Sequence, residues 1–227
     1  GTPALPDEWP ARLLARAARD DIEPGHYLVL DNPRGTLSGF VFVTDPVLGV
    51  VDGPTGLIRF TYAVGINGDD VEQMLSWDPL KFAAFVGDRV PLGLTSTDRA
   101  PISADPQDRA LLDEAVRSEG ASIGAMHARY LEVDAEGRVD LDPAAARALL
   151  RAARHRLLHG RSFALLNGDT WLLLNPQSPT TECASDHVVV PATAEFAHEL
   201  LAIFDAVPGI YRLRTAPLVF RVVAPTT

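Results

Sequence analysis

Histidine, cysteine and acidic side chains are the residues of this sequence whose spacing could support chemistry. The stretch ARHRLLHGRSF, residues 153–163, places His155 and His159 four positions apart, and Cys183 and His187 repeat that spacing. On a helix, residues four apart share one face, and imidazole and thiolate groups are zinc ligands. However, 23 residues separate the two pairs, which is longer than the spacing of a compact zinc finger, and Cys183 falls in a predicted loop. We therefore predict no metal site and interpret the histidines as unrelated to one another.

An acidic cluster and a single thiol are the remaining candidates for catalysis. Asp69, Asp70 and Glu72 could perform general acid–base chemistry, but acidic residues also begin helices, where they complement the helix dipole. There is no G-x-S-x-G motif, and Cys183 has no flanking signature of a nucleophile. The glycines of GINGDD lack the Lys-Ser/Thr of a phosphate loop. The sequence thus predicts no catalytic residues, no cofactor and no enzyme, with a hydrolase of unrecognised site as the least favoured alternative.

The elements that would position these residues are of both types. Apolar residues at helical spacing predict helices, the first over residues 7–21. Three strands are predicted from HYLVL, GFVFVTD and GLIRFTYAVGI, and in the third one Ile58, Phe60, Tyr62 and Val64 alternate along one face. These segments place extended chain and short helices together in the first half.

The second half repeats this mixture. Asp142-Pro143 predicts a capped helix, and Asn167-Gly168 between two apolar runs predicts an antiparallel hairpin over 162–174. Strands and helices come in mixed clusters without strict alternation, which is typical of the α+β class. We expect two mixed α/β-layered units with largely antiparallel sheets, divided near residue 130 into domains 1–130 and 131–227.

Composition limits the classes of partner. The chain has 227 residues, of which 47% are hydrophobic, and its 30 acidic and 20 basic residues give a net charge of −10. That charge disfavours nucleic acid and anionic membranes, because both require a basic surface. No apolar run is long enough to span a membrane, and the lone Cys183 cannot form an intrachain disulfide. We expect a cytoplasmic protein whose partner is neither nucleic acid nor membrane.

Four segments, taken in order, resemble the suppressor of fused family. They are WPARLLARAA (9–18), GLIRFTYAVGINGDDVEQMLSW (56–77), VPLGLTSTDRAPI (90–102) and LRAARHRLLHGRSFALLNGD (150–169). RLLHGRSF is the most specific of them. The resemblance has departures, since only eight residues precede Trp9 and SWDPLKF replaces the family's usual Trp-Asn-Gly. These departures put part of the first domain in doubt.

The resemblance implies a two-domain, non-catalytic protein that clamps an extended peptide of a partner between its domains as an added strand. Nineteen of the twenty basic residues are arginine, which favours a GC-rich genome and hence a prokaryotic, bacterial member of the family. Some such members have been proposed as immunity proteins. A toxin-neutralising immunity protein that uses its acidic surface is therefore the alternative function.

The expected partner site combines both units. We expect an extended segment along a strand edge of GFVFVTD or GLIRFTYAV, with Asp45, Phe60 and Tyr62 on one side and His159 and Arg161 on the other. By the resemblance, RLLHGRSF joins the long helix to the hairpin. Leu157, Leu158 and Phe163 are then core residues, and Gly160 is the turn.

Overall fold

The computed structural model describes residues 8–20, 22–54 and 56–224. These residues form two compact units. The first contains the described residues up to Val71 together with Pro79–Pro106, and the second contains Glu72–Asp78 and the described residues from Gln107 onward. The division at residue 106 differs from the boundary expected near 130, and the domains 1–130 and 131–227 stay a prediction.

A three-stranded antiparallel sheet forms the first unit, with strand order β1-β2-β5. Its elements are α1 (Trp9–Arg19), β1 (Tyr27–Arg34), β2 (Leu37–Thr44), β5 (Thr61–Asn67) and α3 (Pro79–Gly87). Phe40 and Phe42 point to one face of β2, where Trp9 and Leu13 of α1 pack against them. Successive side chains of a strand point to opposite faces, so Val41 and Val43 face the other way, towards α3. The sheet therefore lies between two helices.

A separate two-stranded hairpin extends from this unit. It is made of β3 (Val50–Gly53) and β4 (Gly56–Arg59), which pair only with each other among the described residues. The prediction of GLIRFTYAVGI as one strand is therefore wrong in one respect, because the strand is interrupted at Phe60, which divides it into β4 and β5. The backbone of Phe60 bonds to Asp45 and Gly49, which turns the chain out of the main sheet.

Helix α2 (Asp70–Ser76) begins in the first unit and ends in the second. The other elements of the second unit are α4 (Pro106–Glu119), β6 (Ala125–His127), β7 (Leu131–Val133), β8 (Arg138–Leu141), α5 (Pro143–His155), β9 (Phe163–Asn167), β10 (Thr170–Leu174), β11 (Glu182–Cys183), β12 (His187–Val190), α6 (Ala194–Ile203), β13 (Gly209–Arg212) and β14 (Val219–Val222). The strands form two sheets, with orders β11-β12-β10-β9-β6 and β13-β14-β8-β7. Three strand pairs, β6–β9, β8–β14 and β10–β12, are parallel and the other pairs are antiparallel, so the predicted α+β class with largely antiparallel sheets is confirmed.

The core of the second unit depends on α5. Ala145, Ala148, Leu149 and Ala152 are buried at the i, i+3, i+4 and i+7 spacing that defines one helical face. Three of these four residues are alanines, whose small side chains allow α6 to pack closely against α5. Asp142 caps α5 as predicted, and its Oδ1 accepts hydrogen bonds from the amides of residues 144 and 145.

The predicted hairpin over 162–174 is confirmed, with Asn167 opposite Thr170. Its two-residue turn is Gly168-Asp169, one position later than predicted, and Gly168 has a φ of 57°. A left-handed conformation of this kind favours glycine. Strand β12 was not predicted, because HVVV is a short apolar run whose parallel pairing with β10 is not signalled locally.

Candidate functional site

Two of the three arginines of ARHRLLHGRSF, Arg156 and Arg161, bind backbone carbonyls. The Arg156 guanidinium donates to the carbonyls of Ala121 and Ser122 and also to that of Ser162, and Arg161 donates to Ala121 O at 3.2 Å. Burial, and after it the charge of Arg161, lowers the pKa of Arg156. Arg156 therefore ties the end of α5 to the segments before β6 and β9.

The role expected for the rest of this stretch is largely confirmed. Leu157 and Phe163 are buried, and Gly160 has a left-handed φ of 71° that ends the 3₁₀ helix Leu157–His159. Leu158 is an exception. It is 39% exposed, so its assignment to the core is wrong. A 3₁₀ turn has three residues per turn, which rotates Leu158 away from the face that buries Leu157.

The two pairs whose spacing could suit zinc, His155 with His159 and Cys183 with His187, do not form one cluster. His155 and His159 line the same cleft, whereas His187 stacks on Trp171 with ring centroids 4.6 Å apart and contacts Asp186. Within residues 8–20, 22–54 and 56–224, no group of three or more His, Cys, Asp or Glu side chains is placed to hold a metal ion. Burial, followed by the charge of Asp134, raises the pKa of Cys183, which disfavours the thiolate.

Two carboxylates of the acidic cluster bind other groups of the protein. One accepts hydrogen bonds from backbone amides, and the other pairs with an arginine side chain. Asp70 is fully buried, and its carboxylate accepts hydrogen bonds from the amides of Ile102 and Ser103 at 2.7 and 2.9 Å. Glu72 instead forms a bidentate pair with Arg151. Asp70 and Glu72 thus have separate structural partners, and their arrangement does not support acid–base chemistry.

The expectation that GFVFVTD supplies a free strand edge is wrong. This segment lies in β2, the central strand, which pairs with β1 on one side and β5 on the other. The outer edge of β5 is covered as well, because Gly65 N donates to Thr95 Oγ1 and Arg99 donates to Gly65 O. The alternative segment, GLIRFTYAV, includes β4, whose outer edge has no strand partner among the described residues.

Asp45, Phe60 and Tyr62 lie together at the base of the hairpin. Asp45 Oδ1 accepts hydrogen bonds from the amides of Val47 and Leu48, both at 2.8 Å, and Asp45 N donates to Phe60 O at 2.8 Å. The Tyr62 hydroxyl donates to Gly93 O at 2.7 Å. Burial, and after it the negative charge of Asp45, raises the pKa of Tyr62. Asp45 therefore closes the turn that sends the chain into β3.

The hairpin carries an exposed apolar surface, which we call the hairpin patch. Its seven members are Val47, Leu48, Val50, Val51, Leu57, Ile58 and Phe60. Their exposed fractions range from 38% for Phe60 to 85% for Val47. Because successive side chains of a strand point to opposite faces, Val51 and Ile58 lie on one face of the hairpin and Val50 and Leu57 on the other, and exposed apolar surface of this kind marks interaction sites. This patch was not predicted from the sequence, although VLGVV and GLIRF are two apolar runs with little polar alternation.

A groove adjoins the hairpin base in the same unit. Its volume is about 490 Å³, and it lies between the ends of β2 and β5 and helix α3. Val43, Tyr62 and Val64 form the sheet side, and Leu80 and Ala83 belong to the helix side. A groove of this volume and apolar lining can accept an apolar side chain.

His159 and Arg161 belong to the second unit, whereas Asp45, Phe60 and Tyr62 belong to the first. His159 ends the 3₁₀ helix and lines the cleft that also contains His155. Their contact with a partner stays a prediction.

In the described part of the chain, no helix is long and apolar enough to cross a membrane.

Comparison with known proteins gives similarity at the level of structure. No family model and no curated protein matches the sequence. The crystal structure of Drosophila Suppressor of Fused matches with a TM-score of 0.71 and 17% sequence identity, over 99% of this chain and 73% of that one. A Sufu-Fu complex matches with a TM-score of 0.41 and 23% identity, over 49% of this chain and 53% of that one. By the first of these matches, the chain has the fold of Suppressor of Fused.

Proposed function

We propose that this chain is a non-catalytic protein-binding module, and that it binds an extended segment of a partner protein as an added strand beside β4. The observation that carries the proposal is the hairpin patch, seven exposed apolar side chains on a two-stranded sheet. The suppressor of fused-like fold supports the same class of function by analogy.

The energetics of the hairpin favour an added strand. A two-stranded hairpin is only marginally stable alone in water, and its free edges are templates for pairing with another chain. All four residues of β4 are exposed. Fully burying one Val, Leu or Ile side chain contributes about 1.5–3 kcal/mol, so covering the patch would offset much of the cost of ordering a peptide.

The register of the hairpin identifies the amides available for pairing. Phe60 N donates to Gly49 O, so these two residues form a hydrogen-bonded pair. Hydrogen-bonded and non-hydrogen-bonded pairs alternate along an antiparallel ladder. Counting from Gly49 and Phe60, the amides of Leu57 and Arg59 therefore point away from β3, towards the position of the added strand.

Asp45, Phe60 and Tyr62 fix this site in our proposal. Asp45 orients the turn into β3, Phe60 contributes apolar surface, and Tyr62 lines the groove that would accept a side chain of the partner. From the resemblance to suppressor of fused, we extend the proposal to His159 and Arg161 as further residues that contact the partner.

Quantitative affinity capture from the source organism tests the proposal. Wild type is compared with Leu57→Asp, which places a charge in the hairpin patch, and with the matched control Leu94→Asp, which alters an apolar side chain of similar exposure outside the patch. We expect at least one protein to be captured by wild type and by Leu94→Asp but lost by Leu57→Asp. With that protein purified, Leu57→Asp should weaken its binding at least about 10-fold, since a buried unpaired charge is costly. Equal binding to both variants would refute the proposed site.

A further inference from the structure

A cleft in the second unit is lined by polar groups that the proposed function does not use. Its volume is about 530 Å³, within the roughly 300–1,000 Å³ of small-molecule sites. Its walls come from α2, α4, the end of α5 and the 3₁₀ helix Leu157–His159. Val116 and Leu158 supply apolar surface, and the remaining lining is mostly charged, imidazole, amide or hydroxyl groups.

Two of the four charged side chains that line this cleft have a partner of opposite charge. Glu72 accepts from Arg151 at 2.8 and 3.0 Å, and Arg117 pairs with Glu114. Two charges are left uncompensated among the described residues. Within the part of the chain that the structure describes, Arg154 on α5 has no ion pair, and the hydrogen-bond partner of Asp113 on α4 is the neutral amide of Gln73, at 3.3 Å. One free cation and one free anion thus stand on different helices of the same cleft.

Two imidazoles lie beside Arg154. Burial, then the charges of Arg154 and Arg151, lowers the pKa of His155, so its ring is neutral at pH 7 and offers one donor and one acceptor. His159 is held against Gly120, where an added Cβ would come within 2.7 Å of His159 Cδ2. Gly120 also has a left-handed φ of 68°, so glycine is required there for two reasons. Both imidazoles line the same cleft as Arg154, and each can donate a hydrogen bond to a ligand there.

We propose that this cleft binds a small zwitterion of the α-amino acid or short-peptide class. The carboxylate of the ligand pairs with Arg154 and receives an imidazole hydrogen bond, while its ammonium group pairs with Asp113. Each free charge then gains a partner of opposite sign, and charge-assisted hydrogen bonds are the stronger kind. The inference is independent of strand addition at the hairpin, because every residue it uses belongs to the second unit.

Calorimetric titration of the full chain with the twenty standard amino acids and with Ala-Ala tests the proposal. At least one of these probes should bind with a Kd below about 10 mM. Its N-acetyl derivative, which lacks the ammonium, and its amide, which lacks the carboxylate, should each bind at least about 10-fold more weakly. Arg154→Gln and Asp113→Asn should each weaken binding by a similar factor. The matched controls Arg147→Gln and Asp169→Asn alter exposed charges outside the cleft and should leave the affinity unchanged.

Proton NMR locates the bound probe. The ring resonances of His155 and His159 should move on titration, while those of His26 and His127, which do not line the cleft, should stay constant. The comparison of free amino acids with Ala-Ala distinguishes an amino acid from a short peptide as the zwitterion. The proposal is overturned if no probe binds below about 10 mM, or if Arg154→Gln and Asp113→Asn bind as wild type does.

Discussion

Asp142 connects two segments of the second unit, because its carboxylate accepts hydrogen bonds from four backbone amides. Its Oδ1 accepts from the amides of Ala144 and Ala145, and its Oδ2 accepts from those of Arg129 and Tyr130. One carboxylate thus caps α5 and fixes the chain entering β7. Asp70 and Arg156 have similar roles, because their polar atoms satisfy backbone groups that helices and strands leave unpaired.

Asp142→Ala should lower the free energy of unfolding by about 3 kcal/mol. The reason is that it removes an N-cap and leaves two further amides without their acceptor. Urea unfolding followed by circular dichroism measures the change. The control is Asp169→Ala, which alters an exposed turn and should change the free energy by less than about 0.5 kcal/mol. A loss below about 1 kcal/mol in Asp142→Ala would contradict the role assigned to this carboxylate.

His155 should make stability depend on pH. Its pKa is lowered by burial and by neighbouring arginines, so the unfolded chain, with a histidine pKa near 6.5, binds the proton more readily. The stabilisation is fully present above about pH 6.5 and is lost as the pH falls through the folded-state value.

Chemical unfolding between about pH 7 and 5 tests this dependence. His155→Gln should lose less stability over that range than wild type does. His127→Gln, at an exposed position, should follow wild type. An NMR titration in which His155 has a pKa at or above 6.5 would disprove the argument.

At the scale of elements, turns and helix caps could be predicted from adjacent residues, whereas the pairing of strands could not. The hairpin over 163–174 and the cap of α5 follow from residues adjacent in sequence, and both were predicted. The central position of β2 and the break at Phe60 were not predicted, because they depend on partners distant in sequence. Which edges are free is decided by pairing, so the partner edge was assigned wrongly to GFVFVTD and only the alternative, GLIRFTYAV, retained a free edge in β4.

The hairpin patch should contribute little to folding. Leu57→Asn replaces an exposed side chain, so the free energy of unfolding should change by less than about 0.5 kcal/mol. Phe42→Ala, in the buried face of β2, should cost about 3–5 kcal/mol in the same urea experiment. A large loss in Leu57→Asn would make the patch part of the core and remove the basis for proposing it as a binding surface.

At the scale of the whole molecule, the order of the four sequence segments predicts the suppressor of fused fold, and the structural match to Suppressor of Fused confirms it. The net charge of −10 predicts a partner that is neither nucleic acid nor an anionic membrane, and it is also the basis of the immunity alternative; both stay predictions. Apolar contact and backbone pairing at the hairpin differ from charge-driven binding in one measurable property, which is the dependence of affinity on salt.

Raising the salt concentration from about 0.05 to 0.5 M should change the Kd of the captured partner less than about 3-fold, because screening acts on charges and leaves backbone pairing intact. Titration calorimetry at several salt concentrations measures this. A fall in affinity of about 100-fold or more would favour the acidic-surface alternative.

Amide hydrogen exchange of the chain with and without its captured partner tests strand addition most directly. The amides of Leu57 and Arg59 point away from β3, so they should exchange slowly only in the complex, when the added strand accepts their hydrogen bonds. The amides of α6 should be unchanged. The account predicts new protection at Leu57 and Arg59. Partner-induced protection confined to other segments, with residues 56–60 exchanging as in the free chain, would contradict it.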